Sequence, residues 1–295
     1  MKSNESIFVK RIESKVEQTI KKFKLLSKKE KILVAASGGK DSTAALFILK
    51  KLGYNVFAVT IDVGIGSYSK KNVENLEKFC KKEKIKLYST SIREAFGSSL
   101  CHMKSVLDSK GIKLNSCAVC GVLRRYLINR IAKQLKAKKL VTGHNLDDEA
   151  QSIMMNFFRN TLQFSARLGP VSGIISDRKF IPRVKPLYFI PEKEIAKYSK
   201  IMKFPVDYER CPCSSEVFRR FVGKKLDELE KENHDAKKNI VDYFMRILPK
   251  LKKKYSSKGK ISYCERCGEP SKSNVCRACQ IISSVKMPSQ KPQKV

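Results

Sequence analysis

An apolar strand, a double-glycine turn and a helix follow one another without a spacer, and this juncture constrains the fold of the chain more than any other feature. Ile32-Leu33-Val34-Ala35-Ala36 reads as a buried strand, and Thr43-Ala44-Ala45-Leu46-Phe47-Ile48-Leu49 as the body of a helix. Between them lie Ser37-Gly38-Gly39-Lys40-Asp41-Ser42. Free backbone N–H groups and the helix dipole then converge on one spot, which makes an anion site. The two glycines allow positive φ and close approach of a phosphate. Ser37 and Ser42 can add hydroxyl donors, and Lys40 adds charge. The spacing is not that of a Walker A loop, which needs four residues between its first glycine and Gly-Lys-Ser/Thr. The alternative is an ordinary tight turn between strand and helix.

The pattern around this juncture is an alternation of strands and helices. Residues 7–26 read as a basic amphipathic helix, 32–36 as the first strand, and a helix runs to about Leu52 before the Gly53-Tyr54 turn. Val56-Phe57-Ala58-Val59-Thr60-Ile61 is continuously apolar, as expected of a parallel strand covered on both faces; Asp62-Val63-Gly64-Ile65-Gly66 ends it. A charged helix over 69–84, a strand over 85–90, a helix over 118–136, a strand over 139–142 and a helix over 146–158 follow. This predicts an α/β fold with a doubly wound parallel sheet and its ligand at the carboxyl ends of the strands. Helical stretches over 192–204 and twice within 215–248, broken near Asn233-His234, are additions to it. Residues 250–260 read as a basic linker. The expected division is a basic N-terminal helix (1–28), a catalytic domain (29–214), a helical segment with linker (215–260), a cysteine module (261–283) and a frayed tail (284–295).

The net charge is +34, from 62 Lys and Arg against 28 Asp and Glu. Solubility needs far less, and heat adaptation would raise Glu as well. The excess points to a polyanion, and nucleic acid fits better than a membrane surface. No run is long enough to span a bilayer and the start lacks a signal peptide, so a cytoplasmic location is expected.

The chain has ten cysteines. Cys264-x-x-Cys267 and Cys276-x-x-Cys279 are separated by eight residues, with Gly268 placed for a knuckle turn. Four thiolates at this spacing suit tetrahedral Zn²⁺, and a segment this short would draw its folding energy from the metal. A redox dithiol is the competing reading. Cys117 and Cys120 open a helix, where the dipole favours thiolates. Together with Cys211-Pro212-Cys213 they make a three-cysteine set. Three thiolates can hold a [4Fe–4S] cluster and leave one iron open; zinc with a fourth ligand and buried structural thiols are the alternatives.

Thr142-Gly143-His144-Asn145-Leu146-Asp147-Asp148-Glu149-Ala150-Gln151 lies at a strand end and opens a helix. Gly143 would let the backbone approach a nucleotide. Asp147 and Asp148 could bind Mg²⁺ or act on a substrate proton, or simply cap their helix. His102 and His234 lack metal partners at recognisable spacing. The Phe157-Phe158 and Phe218/Phe221 pairs are expected in the core.

Taken together, these motifs resemble one family, the tRNA 2-thiolation enzymes of the PP-loop ATP pyrophosphatase superfamily. The matching stretches are SGGKDS (37–42), CAVCGVLRR (117–125), GHNLDDEAQ (143–151), RVKPL (183–187), PEKEI (191–195), RCPCS (210–214) and CERCGEP with CRAC (264–270, 276–279). Their order also matches, and they cover residues from about 8 to 285. The resemblance implies a PP-loop that binds ATP with Mg²⁺ and an enzyme that adenylates the C2 oxygen of a tRNA pyrimidine. It implies ATP contacts from Ser37, Gly38, Gly39, Lys40, Asp41, Ser42, Asp62 and Gly143, and catalytic positions at Ser37, Asp41, Arg124 and Asp148. Cys117, Cys120 and a third cysteine would hold a [4Fe–4S] cluster whose open iron binds hydrosulfide. In the family the cysteine directly before proline is the ligand, which favours Cys211 over Cys213. Cys264, Cys267, Cys276 and Cys279 would hold Zn²⁺. The implied partners are tRNA, a sulfur donor (a thiocarboxylated ubiquitin-like carrier or sulfide) and a second copy in a homodimer.

Three departures from the family pattern matter. Members usually carry a second, N-terminal zinc finger, which is not expected here. Asp62-Val63-Gly64 stands where Asp-Glu-Gly is common. Arg124 occupies a position where the T-loop enzymes tend to have lysine and the wobble enzymes arginine, which leans towards the wobble uridine. T-loop uridine or anticodon-loop cytidine thiolation, a non-thiolating PP-loop adenylating enzyme, and a non-catalytic basic RNA-binding protein are the alternatives.

Overall fold

A computed structural model describes residues 3–174, 179–209, 211–214, 218–256 and 262–285. Its strands are β1 (Ile32–Ala35), β2 (Val56–Asp62), β3 (Leu87–Ser91), β4 (Lys139–Thr142), β5 (Val171–Ser172), β6 (Arg183–Val184), β7 (Ser262–Tyr263) and β8 (Pro270–Ser271). Its helices are α1 (Ser3–Lys22), α2 (Lys40–Lys51), α3 (Gly66–Lys82), α4 (Ile92–Phe96), α5 (Leu100–Ser109), α6 (Ser116–Gln134), α7 (Leu146–Phe158), α8 (Leu162–Ser165), α9 (Glu192–Ile201), α10 (Phe218–Glu232), α11 (Ala236–Tyr255) and α12 (Arg277–Val285). The first six strands form one sheet in the order β3-β2-β1-β4-β6-β5. Its pairs are parallel except β5 with β6. The expected parallel sheet is therefore present with an antiparallel edge strand added. Strands β7 and β8 form a separate hairpin.

Alternation along β1 splits the core in two, because successive side chains point to opposite faces of a sheet. Ile32 and Val34 pack with Ile12 and Val16 of α1, Leu46 and Leu49 of α2, Phe79 of α3 and Tyr198 of α9. Leu33, with Val59 and Ile61 of β2, packs with Leu100 and Met103 of α5, Val119 and Leu123 of α6, and Ile281 of α12. A third cluster joins Leu146 and Ala150 of α7 to Val222 and Leu226 of α10 and Val241 of α11.

Several expected boundaries move. The first helix stops at Lys22, four residues short, because Lys24 takes a left-handed conformation at φ 49°. The basic linker is helix as far as Tyr255, although Pro249 lies inside α11. Packing carries the helix past the proline: Leu248 is buried, and a Cβ at Gly169 would meet its Cδ2 at 2.8 Å. The remainder of the linker and the expected tail lie largely outside the described residues. The phenylalanine pairs are a correction. Phe157 is 65% exposed, Phe158 60% and Phe221 58%, while Phe218 is half-buried. Spacing of i, i+3 puts two rings on one helix face but does not say which face is inward.

Candidate active site and metal centres

Strands β1 and β4 run side by side with Ala35 opposite Thr142, so the segments leaving them emerge together. The sheet order changes direction here, and open α/β sheets leave a crevice at the carboxyl ends at such a point. Gly38 sits at φ +80°, and a Cβ there would lie 2.1 Å from the Asn72 carbonyl oxygen, so α3 packs directly on the loop backbone. At Gly143 a Cβ would lie 2.7 Å from the Ser42 nitrogen. The close approach that Gly143 permits is thus to the start of α2. Helix α2 begins after Gly39 with no side-chain cap, which leaves its first N–H groups facing the mouth of the crevice. Ser42 is buried; its Oγ accepts from the Ser37 N–H at 3.1 Å and donates to the Gly39 carbonyl at 3.1 Å. This hydroxyl closes the loop on itself, whereas Ser37 is exposed.

A chain of ionic contacts fixes the elements around the loop. Lys40 Nζ lies 3.0 Å from Asp41 Oδ2 and 2.6 Å from Glu192 Oε1. Burial alone would lower the lysine's pKa, but Asp41 and Glu192 raise it overall, so it carries its charge. Burial raises the Asp41 carboxyl, against Lys40 and Asn145. Asn145 Nδ2 donates to Asp41 Oδ1 at 3.0 Å, and Asn145 forms a capping box with Asp148 at the start of α7. Asp148 therefore does cap its helix, but its Oδ1 also takes Arg219 at 3.0 Å. Asp147 is buried: Oδ2 accepts from the Glu192 N–H at 2.7 Å, and Oδ1 meets Lys237 at 2.6 Å. Both Asp147 oxygens are thus engaged within the protein, where they tie α7 to α9 and α11.

Lys237 is buried and also reaches Asp227 and Glu230. Burial works against its charge, but the carboxylates more than offset it and raise its pKa. Replacing it would leave Asp147 buried without a counter-ion. Lys237→Ala is expected to cost about 3–5 kcal/mol in urea denaturation, with the wild-type advantage full below about pH 10 and lost as pH rises through the raised value. An unchanged midpoint would contradict this. A second internal pair, Lys185 with Glu149 at 2.5 Å, ties β6 to α7. His144 hydrogen-bonds Thr142 Oγ1 at 2.9 Å. The protein around it, together with Lys185, Arg219 and Arg183, depresses its pKa to about 4 against the pull of Asp148, so it is neutral at physiological pH.

Cys117 and Cys120 lie in the first turns of α6, after an Asn115 cap. The segment carrying Cys211 and Cys213 lies against them, and Cys117 Sγ is 3.4 Å from the Cys213 carbonyl oxygen. Burial raises the Cys117 thiol and Cys211 adds to this; Cys120 is raised by burial against Arg124, which hydrogen-bonds it and lowers it, with Cys117 and Cys211 as further neighbours. Cys117 and Cys120 thus share a helix start with a guanidinium beside Cys120, and Cys211 lies within electrostatic reach of both. Three thiolates are a donor set that suits an iron–sulfur cluster, although among the described residues only the C-terminal cysteines converge into a closed metal-binding group. One turn of α3 joins this set to the phosphate loop. Lys71 in that turn pairs at 2.7 Å with Asp207, just ahead of Cys211 in the chain, and the Tyr68 carbonyl accepts from Asn72, the residue packed on Gly38.

The sulfurs of Cys264, Cys267, Cys276 and Cys279 all lie within 4.8 Å of one another. Burial opposes ionisation of Cys264, but N–H groups of Cys276, Arg266 and Cys267 bring it down to about 6. This is a closed four-thiolate site of the kind that takes a soft divalent ion. The module is docked rather than loose. Glu269 accepts from Asn129 at 2.6 Å and Lys133 at 2.7 Å, both on α6, and Ala278 and Ile281 enter the core.

Sequence reasoning missed Arg219 and Lys237, which lie in no motif, and gave no role to Lys185 and Glu192, although their motifs were recognised. Asp62 Oδ1 accepts from the Gly64 N–H at 2.8 Å and so shapes the turn after β2.

Residues 9–222 match the model of the PP-loop domain family. The tRNA-5-methyluridine(54) 2-sulfurtransferase of Pyrococcus horikoshii is 34% identical over 280 residues, 94% of this chain and 86% of that protein. The tRNA 2-thiolation protein NcsA of Haloferax volcanii is 34% identical over 265 residues, 86% of this chain and 82% of that one. Among solved structures, the U34-tRNA thiolase NcsA from Methanococcus maripaludis with its [4Fe-4S] cluster has a TM-score of 0.79 and 27% identity, covering 99% of this chain and 92% of its own.

Proposed function

The chain belongs to the tRNA 2-thiolation family of PP-loop ATP pyrophosphatases, and from that premise we propose that it replaces the C2 oxygen of a tRNA uridine, the wobble uridine by preference, with sulfur. The observation that carries this reading is the single turn of α3, Tyr68 to Asn72: Asn72 packs on Gly38, and Lys71 pairs at 2.7 Å with Asp207, just ahead of Cys211 in the chain. A phosphate-binding loop and a sulfur-handling site that share a wall can act on one substrate atom. The uridine C2 oxygen attacks the α-phosphorus of ATP and pyrophosphate leaves; sulfur at the hydrosulfide level then attacks C2, and AMP departs with the oxygen. No net oxidation or reduction occurs.

In this reading Gly38, Gly39 and the first turn of α2 receive the phosphates, with Mg²⁺ accompanying the nucleotide. Lys40 is already charged and held by Asp41 and Glu192. Ser37 and Asp41 position the nucleotide, and Arg124 sets a cation beside the thiols. Asp148, gripped by Arg219, holds the start of α7 at the crevice. Cys117, Cys120 and Cys211 would hold the cluster, which when bound supplies an iron with an open coordination position for sulfur. The wobble preference rests on Arg124 and on the likeness to a U34-tRNA thiolase. Position-mapped nucleoside analysis of tRNA from a deletion strain tests it: loss of 2-thiouridine at the wobble position is expected, and loss confined to the T-loop would reverse it.

Two further outcomes are expected. With a net charge of +34, tRNA binding should be steeply salt-dependent: six to ten phosphate contacts would lose roughly 10³–10⁵ in affinity between 50 and 200 mM salt. Lys250, Lys253 and Lys254 on the last turns of α11 are available for this, whereas Arg11 is paired with Glu194 and Lys21 with Glu17. Affinity indifferent to salt would count against an RNA substrate. The four-cysteine module should contain zinc. Chelation, or Cys264→Ser, is expected to release α12 from α5 and α6 and lower the melting temperature while ATP binding persists; well-folded protein free of zinc would contradict this.

A further inference from the structure

Four phenylalanines on α7 and α10 form a surface that the thiolation chemistry does not explain. Phe157 and Phe158 at the end of α7 touch each other edge to face, with centroids 6.2 Å apart. Phe218 and Phe221 on α10 stack at 6.3 Å with an interplanar angle of 17°. The guanidinium of Arg159, next to Phe158 in the chain, lies 4.7 Å from the centroid of Phe218. Guanidinium and rings thus build a column that ends in Phe221, which is 58% exposed. Scattered exposed apolar residues are ordinary, but two contacting aromatic pairs joined through an arginine are not scatter.

We propose that this face receives unpaired nucleobases of the tRNA substrate, an inference that rests on the proposed tRNA substrate. Flat rings held in place by a neighbouring ring and a guanidinium offer bases a stacking platform, and the same arginine, with exposed Arg220, meets the phosphates between them. None of these side chains is acidic. Charge favours this occupant: a chain at +34 attracts a polyanion, and exposed Arg159 and Arg220 lie beside the rings. The position suits a substrate already seated in the crevice. Helix α7 begins at the Asn145–Asp148 cap beside the phosphate loop and spans 13 residues, so its phenylalanine end stands about 20 Å away. A base in the site and another on the platform can belong to one loop of RNA.

The test is fluorescence anisotropy of labelled tRNA with the full chain, Phe221→Leu, and the double variant Phe157→Ser with Phe158→Ser. Sedimentation velocity and thermal melts of each protein accompany it. Each variant is expected to bind about tenfold more weakly or worse, with an unchanged slope of affinity against salt and an unchanged melting temperature. A second measurement does not depend on the variants: irradiation of the wild-type complex at ultraviolet wavelengths should give RNA adducts on peptides carrying Phe157, Phe158 or Phe221. Folded variants that bind within twofold of wild type, or adducts found only elsewhere, would overturn the proposal while leaving the tRNA substrate intact. So would variants that change only the sedimentation of the free protein, which would make the face a contact between copies. A wild-type protein that binds no tRNA would overturn both this inference and the substrate on which it rests.

Discussion

Cys211→Ala is expected to strip the iron–sulfur cluster from anaerobically reconstituted protein and abolish thiolation, whereas Cys213→Ala keeps both. The two thiols are separated only by Pro212, yet their surroundings differ. Cys211 is half-buried and lies within electrostatic reach of Cys117, Cys120 and Tyr68 of α3. Cys213 is exposed and meets Cys117 through its backbone carbonyl. Burial raises the Cys213 thiol, and Cys211, exposed Cys101 and Cys117 add to it, so Cys213 also lies near Cys117 and differs from Cys211 chiefly in being exposed. Proline restrains the backbone, so one sulfur cannot swing into the other's place. Absorbance and iron content of the two variants decide between them. Cluster loss in Cys213→Ala with retention in Cys211→Ala would reverse the assignment.

The second large effect is expected at Asp41. This carboxylate holds Lys40 at 3.0 Å and Asn145 at 3.0 Å, and Asn145 in turn caps α7 against Asp148. Asp41→Ala frees the lysine to turn wholly to Glu192 and unties the segment after β4 from the loop. Misplacement of catalytic groups by about 1 Å can cost on the order of 10²-fold, so tRNA-dependent ATP–pyrophosphate exchange should fall at least that far. Ser37→Ala, which removes the exposed hydroxyl of the loop, should also abolish exchange. Neither variant should change tRNA affinity much, since both side chains lie at the phosphate loop. Exchange at the wild-type rate in Asp41→Ala would remove the residue from the mechanism. Asp148→Ala divides the capping and catalytic readings of that residue: full turnover in a slightly destabilised protein would leave only the cap.

What the sequence revealed was local. The strand, glycine turn and helix at residues 32–49 fix one another through neighbours, and the Cys264 set announces itself by spacing. Both were legible from the residues alone. Strands β5 and β6 were not, because two residues carry no periodicity, and they exist only by pairing with each other and with β4. The ionic frame was hidden for a different reason. Lys40 meets Glu192 across 152 positions, Lys237 meets Asp147 across 90 and Arg219 meets Asp148 across 71. No pattern in a single sequence pairs charges at such distances. Gly143 shows a third limit. The need for a bare backbone was evident, but only packing shows that α2 itself fills the space. The exposed phenylalanines are the clearest reversal, since hydrophobicity argued for burial and a binding face need not obey it.

On the proposed function, one site couples ATP cleavage to replacement of a uridine oxygen by sulfur. The most direct test is an anaerobic reaction of reconstituted protein with ATP, Mg²⁺, sulfide and unmodified tRNA transcript, followed by mass spectrometry of the nucleosides and quantitation of AMP. The expected product is 2-thiouridine at a single position, formed only with ATP and with at least one AMP released per thiolated uridine. AMP release without any thiolated nucleoside, from protein carrying an intact cluster, would contradict it.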